Sequence, residues 1–154
     1  MAKEKDRIQK HVNIVNRRAS FEYQFIDKYT AGVMLKGTEI KSIREGKVNM
    51  QDGYCVFQNG ELWLHNTHIS TYTEGTHYNH EPTRARKLLL NKRELRKLEK
   101  GAEEQGVTII PVRVFISERG FAKVEVALAR GKKLYDKRED LKVKDMKREI
   151  ERGF

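Results

Sequence analysis

Tyr54-Cys55-Val56-Phe57 and Leu62-Trp63-Leu64 are two apolar runs joined through Asn59-Gly60. Asn-Gly tolerates the positive φ angles of a two-residue turn, and between apolar runs it is the strongest local sign of a β-hairpin. Upstream, Phe21, Tyr23 and Phe25 alternate with Glu22 and Gln24 from Ser20 onward, the period of a half-buried strand, and Ala31 to Leu35 reads as a second strand. Gly37-Thr38 opens a short helix with Thr38 as N-cap, Ile40 and Ile43 inward and Gly46 as its stop. Downstream, Ser70 to Thr83 is rich in Thr, His, Tyr and Asn and reads as a long exposed loop. Asn91 to Gln105 has the period of a helix with Leu95 and Leu98 inward, closed by Gly106. Val107–Ile116 and Phe121–Leu128 are the last strands, turned by Glu118-Arg119-Gly120. Pro111 lacks an N–H donor, so its strand is expected to be an edge or to carry a bulge there.

Six short strands interrupted by helices predict a mainly β fold, an OB-type closed antiparallel β-barrel with two or three flanking helices. Helices do not alternate one-for-one with strands, which argues against a doubly wound parallel sheet. The expected organisation is a mobile N-terminal arm over 1–15, a barrel domain over 16–131 and a flexible basic tail over 132–154. In that tail Val143, Met146, Ile150 and Phe154 recur at helical spacing amid charge. One narrow stripe cannot hold a free helix, so the tail is expected to become helical only when bound.

Charge is segregated along the chain. Residues 1–18, 84–100 and 130–154 carry net charges of +4, +6 and +4, whereas 19–83 carry −3 and 101–129 carry −1, in a chain of net +10. One sign gathered into discrete segments is the electrostatic footprint of a polyanion binder, with nucleic acid the leading candidate at this size. Between Arg84 and Arg93 five cations occur with no acid among them. That arrangement repels itself unless an anion compensates, and RNA is the expected anion. Lys123 lies on a strand face opposite Val124 and Val126, hence outward, while Phe21, Tyr23 and Trp63 are assigned to the core.

Several function classes are disfavoured. No apolar run approaches the ~18 residues of a membrane span, and the N-terminus has no apolar segment behind its charges to make a secretory signal. A cytoplasmic protein is expected. Cys55 is alone, reads as a small buried hydrophobe, and allows neither an intramolecular disulfide nor a multi-cysteine zinc site. His65-Asn66-Thr67-His68 and His77-Tyr78-Asn79-His80 share a metal-like spacing but lack a clear third ligand, so they are read as a strand end and a solvated loop. There is no Gly-rich phosphate loop, nucleophile elbow or H-E-x-x-H. No cofactor and no enzymatic activity are expected.

Asn16-Arg17-Arg18-Ala19, Ala31-Gly32, Leu35 to Arg44 (Leu-Lys-Gly-Thr-Glu-Ile-Lys-Ser-Ile-Arg), Arg86-Lys87-Leu88-Leu89-Leu90-Asn91-Lys92, and Ala127 to Lys133 with Tyr135 to Glu139 occur in unbroken order. Together they resemble the SsrA-binding protein family (small protein B) of bacterial trans-translation. The resemblance runs from about Asn16 to Arg152. It implies an OB-type barrel with flanking helices that binds the tRNA-like domain of transfer-messenger RNA. With elongation factor Tu and GTP, held through the RNA, it implies delivery to ribosomes stalled on messages without a stop codon, and no catalysis. The RNA-contacting positions implied are Asn16, Leu89, Asn91 and Lys123, to which the basic residues Arg17, Arg18, Arg84, Arg86, Lys87 and Lys92 are added. Gly131, Lys132 and Lys133 correspond to the start of a ribosome-acting tail, with Tyr135 beside it. Asp136, Lys137 and Arg138 correspond to a cluster implicated at the decoding centre. Where many relatives carry a glutamate before the Ala-Gly pair, this chain has Thr30, which both donates and accepts hydrogen bonds and joins the candidate site. Two other readings stay open: a ribosomal or assembly protein packed on ribosomal RNA, and a sequence-neutral single-strand binder, which would need exposed aromatics.

Overall fold

The computed structural model describes residues 12–73 and 79–132. The hairpin forms as expected: β4 (Tyr54–Gln58) and β5 (Glu61–His65) pair antiparallel, with Tyr54 opposite His65 and Gln58 opposite Glu61. Asn59 and Gly60 both adopt positive φ, 53° and 75°, as the turn requires.

Around it the chain runs β1 (Asn13–Val15), α1 (Arg17–Glu22), β2 (Tyr23–Val33), α2 (Gly37–Arg44), β3 (Val48–Asn49), β6 (His68–Ile69), β7 (Arg86–Leu89), α3 (Lys92–Ala102), β8 (Val107–Ile116) and β9 (Ala122–Gly131). Seven strands form one antiparallel sheet in the order β1-β8-β4-β5-β7-β2-β9. Because β8 also pairs with β9, six of these strands close into a ring, and β1 is added outside it on β8. β3 and β6 pair separately. The fold is mainly β with three helices among the described residues.

Alternation directs one face of each strand into the ring. Leu62, Leu64, Leu88, Ile109, Val114, Val124 and Val126 are buried there with Cys55, whose thiol is pushed up by burial. Each buried aliphatic contributes about 1.5–3 kcal/mol of transfer free energy. Ile43 on α2 and Leu98 on α3 are buried in the same core. At Gly101 a Cβ would fall 2.4 Å from Leu128 Cδ1, so the end of α3 packs closely on the β9 side chain and a larger residue there would force Leu128 to move.

Several sequence expectations change. Residues 12–15, assigned to the arm, include buried Val12 and form β1. Ser20 to Glu22 are helical, since the Asn16 side chain caps α1 by accepting from Ala19 N at 3.2 Å. The strand begins only at Tyr23 and continues through Ala31 as a single element, bulged between Phe25 and Asp27. Lys36, not Thr38, occupies the N-cap of α2, and the Thr38 hydroxyl bonds the ring of buried His80 at 2.9 Å. Residues 86–89, in the basic segment expected to contact RNA, form β7 between β5 and β2, with Arg86 and Leu88 inward. Phe21, Tyr23 and Trp63 are half-buried rather than core. At Pro111 the expected bulge is present, with the β8–β9 register shifting between Pro111 and Arg113.

Candidate nucleic-acid interface

The outward face of the sheet assembles the candidate site. Lys123 on β9 pairs with Gly32 on one side and Phe115 on the other. Gly32 pairs with Leu89, and Phe115 with Asn13. One row therefore crosses five strands as Leu89, Gly32, Lys123, Phe115 and Asn13. The next row contains Thr30, Glu125, Arg113 and Val15. Residues between them, including Ala31, Val114 and Val124, are buried, so the period of two sends both rows outward. Leu89 is 48% exposed. Asn91 lies two residues past it, where its Oδ1 caps α3 by accepting from Glu94 N at 2.8 Å.

Thr30 has Glu125 directly opposite across the ladder. Glu125 accepts from Arg113 Nε at 3.3 Å and lies 4.0 Å from Lys28 Nζ. The guanidinium of Arg113 lies 4.1 Å from the centre of the Phe115 ring, a cation–π contact. Sequence reasoning overlooked Arg113 and Phe115, whose signal is their shared outward parity with Lys123's row.

Not every candidate reaches this face. Arg86 is fully buried and is withdrawn as an RNA contact: its Nε donates to Glu39, Nη1 to Thr67 O at 2.7 Å and Nη2 to Pro82 O at 2.9 Å. Arg84 forks onto the same carboxylate and also donates to Met34 O at 3.2 Å. Burial pushes the Glu39 carboxyl up, but the bonds from Arg84, the Lys36 amide and Arg86 outweigh it and hold it below the usual range. Burial likewise pulls the Arg86 guanidinium down. Lys87 is bridged to Glu61 at 2.9 Å. The anions that relieve this basic segment are thus internal, Glu39 and Glu61, and the self-repulsion argument for RNA at Arg84, Arg86 and Lys87 fails.

Asn16 is also corrected. Its side chain is buried, with Nδ2 donating to Met50 O at 3.1 Å and to Pro111 O at 3.0 Å, while its amide N–H donates to Val112 O at 2.8 Å. It ties the Met50 carbonyl to the Pro111 and Val112 carbonyls at the β8 bulge and so positions the exposed Arg17 and Arg18 rather than presenting its own amide. Arg18 pairs with Glu22 and Asp52. Among the described residues Arg17, Lys92 and Lys123 form no ion pair.

At the tail's root, Gly131 ends β9, and Lys132 donates from its amide to Glu22 O at 2.8 Å and from Nζ to Ser20 O at 3.2 Å. Lys132 thus joins the body of the fold. Lys133, Tyr135, Asp136, Lys137 and Arg138 lie outside the described residues, as does His77. His65 ends β5 stacked on Tyr54, whereas His80, expected in a solvated loop, is buried and bonds Ile69 O through Nε2 at 2.8 Å. No helix among the described residues is long and apolar enough to cross a membrane.

The profile of the SmpB protein family matches residues 13–154. The chain belongs to the SmpB family. It is 58% identical to the SsrA-binding protein of Cytophaga hutchinsonii over 145 residues, covering 94% of this chain and 95% of that one. It is 61% identical to the SsrA-binding protein of Phocaeicola vulgatus over 143 residues, covering 93% and 95%. A solved SmpB-family structure, described as "tmRNA-SmpB: a journey to the center of the bacterial ribosome", superposes with a TM-score of 0.70 at 44% identity, covering 84% of this chain and 94% of that chain. Family membership extends across both the sheet face and the segment that follows Lys132.

Proposed function

We propose that this chain binds the tRNA-like domain of transfer-messenger RNA and carries it to stalled ribosomes in trans-translation, acting in the cytoplasm as a binding factor without catalysis. The observation that carries this reading is the convergence of Leu89, Thr30 and Lys123 on one outward face beside Asn91, in a chain of the SmpB family. The closed strand order and antiparallel pairings support an OB-type barrel as the platform. Lys123, Lys92 and Arg17 supply salt-sensitive contacts to phosphates, and Asn91 supplies register. Glu125, opposite Thr30, supplies the carboxylate that relatives are implied to carry at position 30. Gly131 and Lys132 anchor the segment whose Lys133, Tyr135, Asp136, Lys137 and Arg138 meet ribosomal RNA near the decoding centre and messenger channel. Elongation factor Tu with GTP joins through the RNA.

The test is binding of the full chain to an isolated tRNA-like domain and to an elongator tRNA across a salt series. Tighter binding of the tRNA-like domain, falling steeply with salt, is expected. Equal affinity for both at moderate salt would leave only a generic RNA binder.

A further inference from the structure

Beside Lys123 the surface holds a feature that phosphate binding does not use. Phe121 is 62% exposed, the most exposed large apolar residue described. It is not on a loose loop: its amide N–H donates to Ser117 Oγ at 3.2 Å, and its carbonyl accepts from Ser117 N at 2.8 Å. The preceding turn closes on Gly120 at a φ of 87°. The ring is therefore presented from a fixed backbone, where water contact is costly and ordering it for a ligand costs little entropy.

Phe121 forms one wall of an open groove of about 300 Å³, with Leu35 and Leu89 among the other apolar walls and Gly32 in its lining. With no side chain at Gly32, the floor of the groove there is backbone beside Leu89, whose Cβ lies 3.4 Å from where a Gly32 Cβ would sit. Lys36 and Lys123 also line the groove, and neither forms an ion pair among the described residues. An open, largely apolar slot flanked by two ammonium groups with no ion-pair partner among the described residues suits a single nucleotide, with a base between apolar walls and phosphates at the cations.

We propose that this groove takes one unstacked nucleobase from a loop of the bound RNA, with Phe121 as the stacking residue and Lys36 and Lys123 on its flanking phosphates. The proposal rests on the RNA-binding reading above and adds a base-sized subsite to it. Stacking is indifferent to base identity, so the groove selects RNA whose loop can extrude a nucleotide at that place, which is recognition by shape.

The experiment measures affinity of the full chain, Phe121→Ala and Phe121→Trp for a synthetic tRNA-like domain of transfer-messenger RNA. A set of the same RNA, each member abasic at one unpaired loop position, is measured in parallel. Phe121→Ala is expected to bind the intact RNA on the order of tenfold more weakly, and Phe121→Trp to retain binding. At one abasic position, and only there, wild type and Phe121→Ala are expected to bind alike, since the base that stacks is gone. Phe121→Ala matching wild type on intact RNA, with wild type still preferring this RNA to an elongator tRNA, overturns the groove alone. The same factor lost on every abasic RNA also overturns it. Failure of the wild type to prefer the tRNA-like domain removes both the groove and the functional reading. Because Phe121 is exposed, an unchanged unfolding midpoint is expected for both variants.

Discussion

Arg86 and Glu39 face one another in the interior, 47 positions apart in the chain, with neither side chain reaching the surface. Arg84 joins the same carboxylate, so one acid on α2 holds two cations of the segment around β7. Buried charges stay buried only when paired and hydrogen-bonded, and here the carbonyls of Thr67 and Pro82 complete the set around Arg86.

Glu39→Gln leaves both guanidinium groups without a counter-charge. The expected loss is about 3–5 kcal/mol of unfolding free energy by urea titration. Lys87→Ala, which breaks the partly exposed bridge to Glu61, should cost no more than about 1 kcal/mol. Equal effects of the two would show that the interior pair carries no special weight.

The lowered carboxyl of Glu39 makes stability depend on acid. A group held below its ordinary value stabilises the fold above its unfolded pKa, and that contribution disappears as pH falls through the folded value. The stability difference between wild type and Glu39→Gln should therefore be full at neutral pH and shrink below the ordinary carboxylate range. Melting curves from neutral to strongly acidic pH measure it; a constant difference would refute the linkage.

Lys123→Ala should weaken binding to the tRNA-like domain and reduce the slope of log affinity against log salt by about 1. Arg86→Met should leave that slope unchanged wherever the protein remains folded, because Arg86 is buried away from the outward sheet face. A smaller slope for folded Arg86→Met would return Arg86 to the interface.

Thr30→Glu would set two carboxylates directly opposite one another on β2 and β9. Like charges so placed cost about 0.2–1 kcal/mol, and Thr30→Glu combined with Glu125→Gln should recover the loss. If the single variant is as stable as wild type and binds RNA more tightly, Glu125 is not the substitute for the missing acid.

Removing residues 133–154 keeps the Lys132 contacts to Ser20 and Glu22. RNA affinity should persist, while tagging of stalled chains in a reconstituted translation system should be abolished. Joint loss of both activities would mean that they are not separable.

Local conformation was legible because it depends on adjacent residues. Asn59-Gly60 announced its turn, Gly46, Gly106 and Gly120 take the positive φ their positions suggested, and Pro111 marked the bulge. β7 was hidden because Arg86 occupies an inward position that a strand pattern reserves for apolar side chains. Glu39 did leave a trace, since it shares the buried helical face of Ser42 and Ile43.

The chain's own order of residues dictated alternation, turns, caps and an excess of positive charge, all of which act over a few neighbours. Which cations remain available to a partner was decided only by folding. Glu39 and Glu61 come from distant segments to neutralise Arg84, Arg86 and Lys87, whereas nothing among the described residues neutralises Lys123. Electrostatic pairing depends on distance in space and on exclusion of water, and neither quantity is written along a sequence.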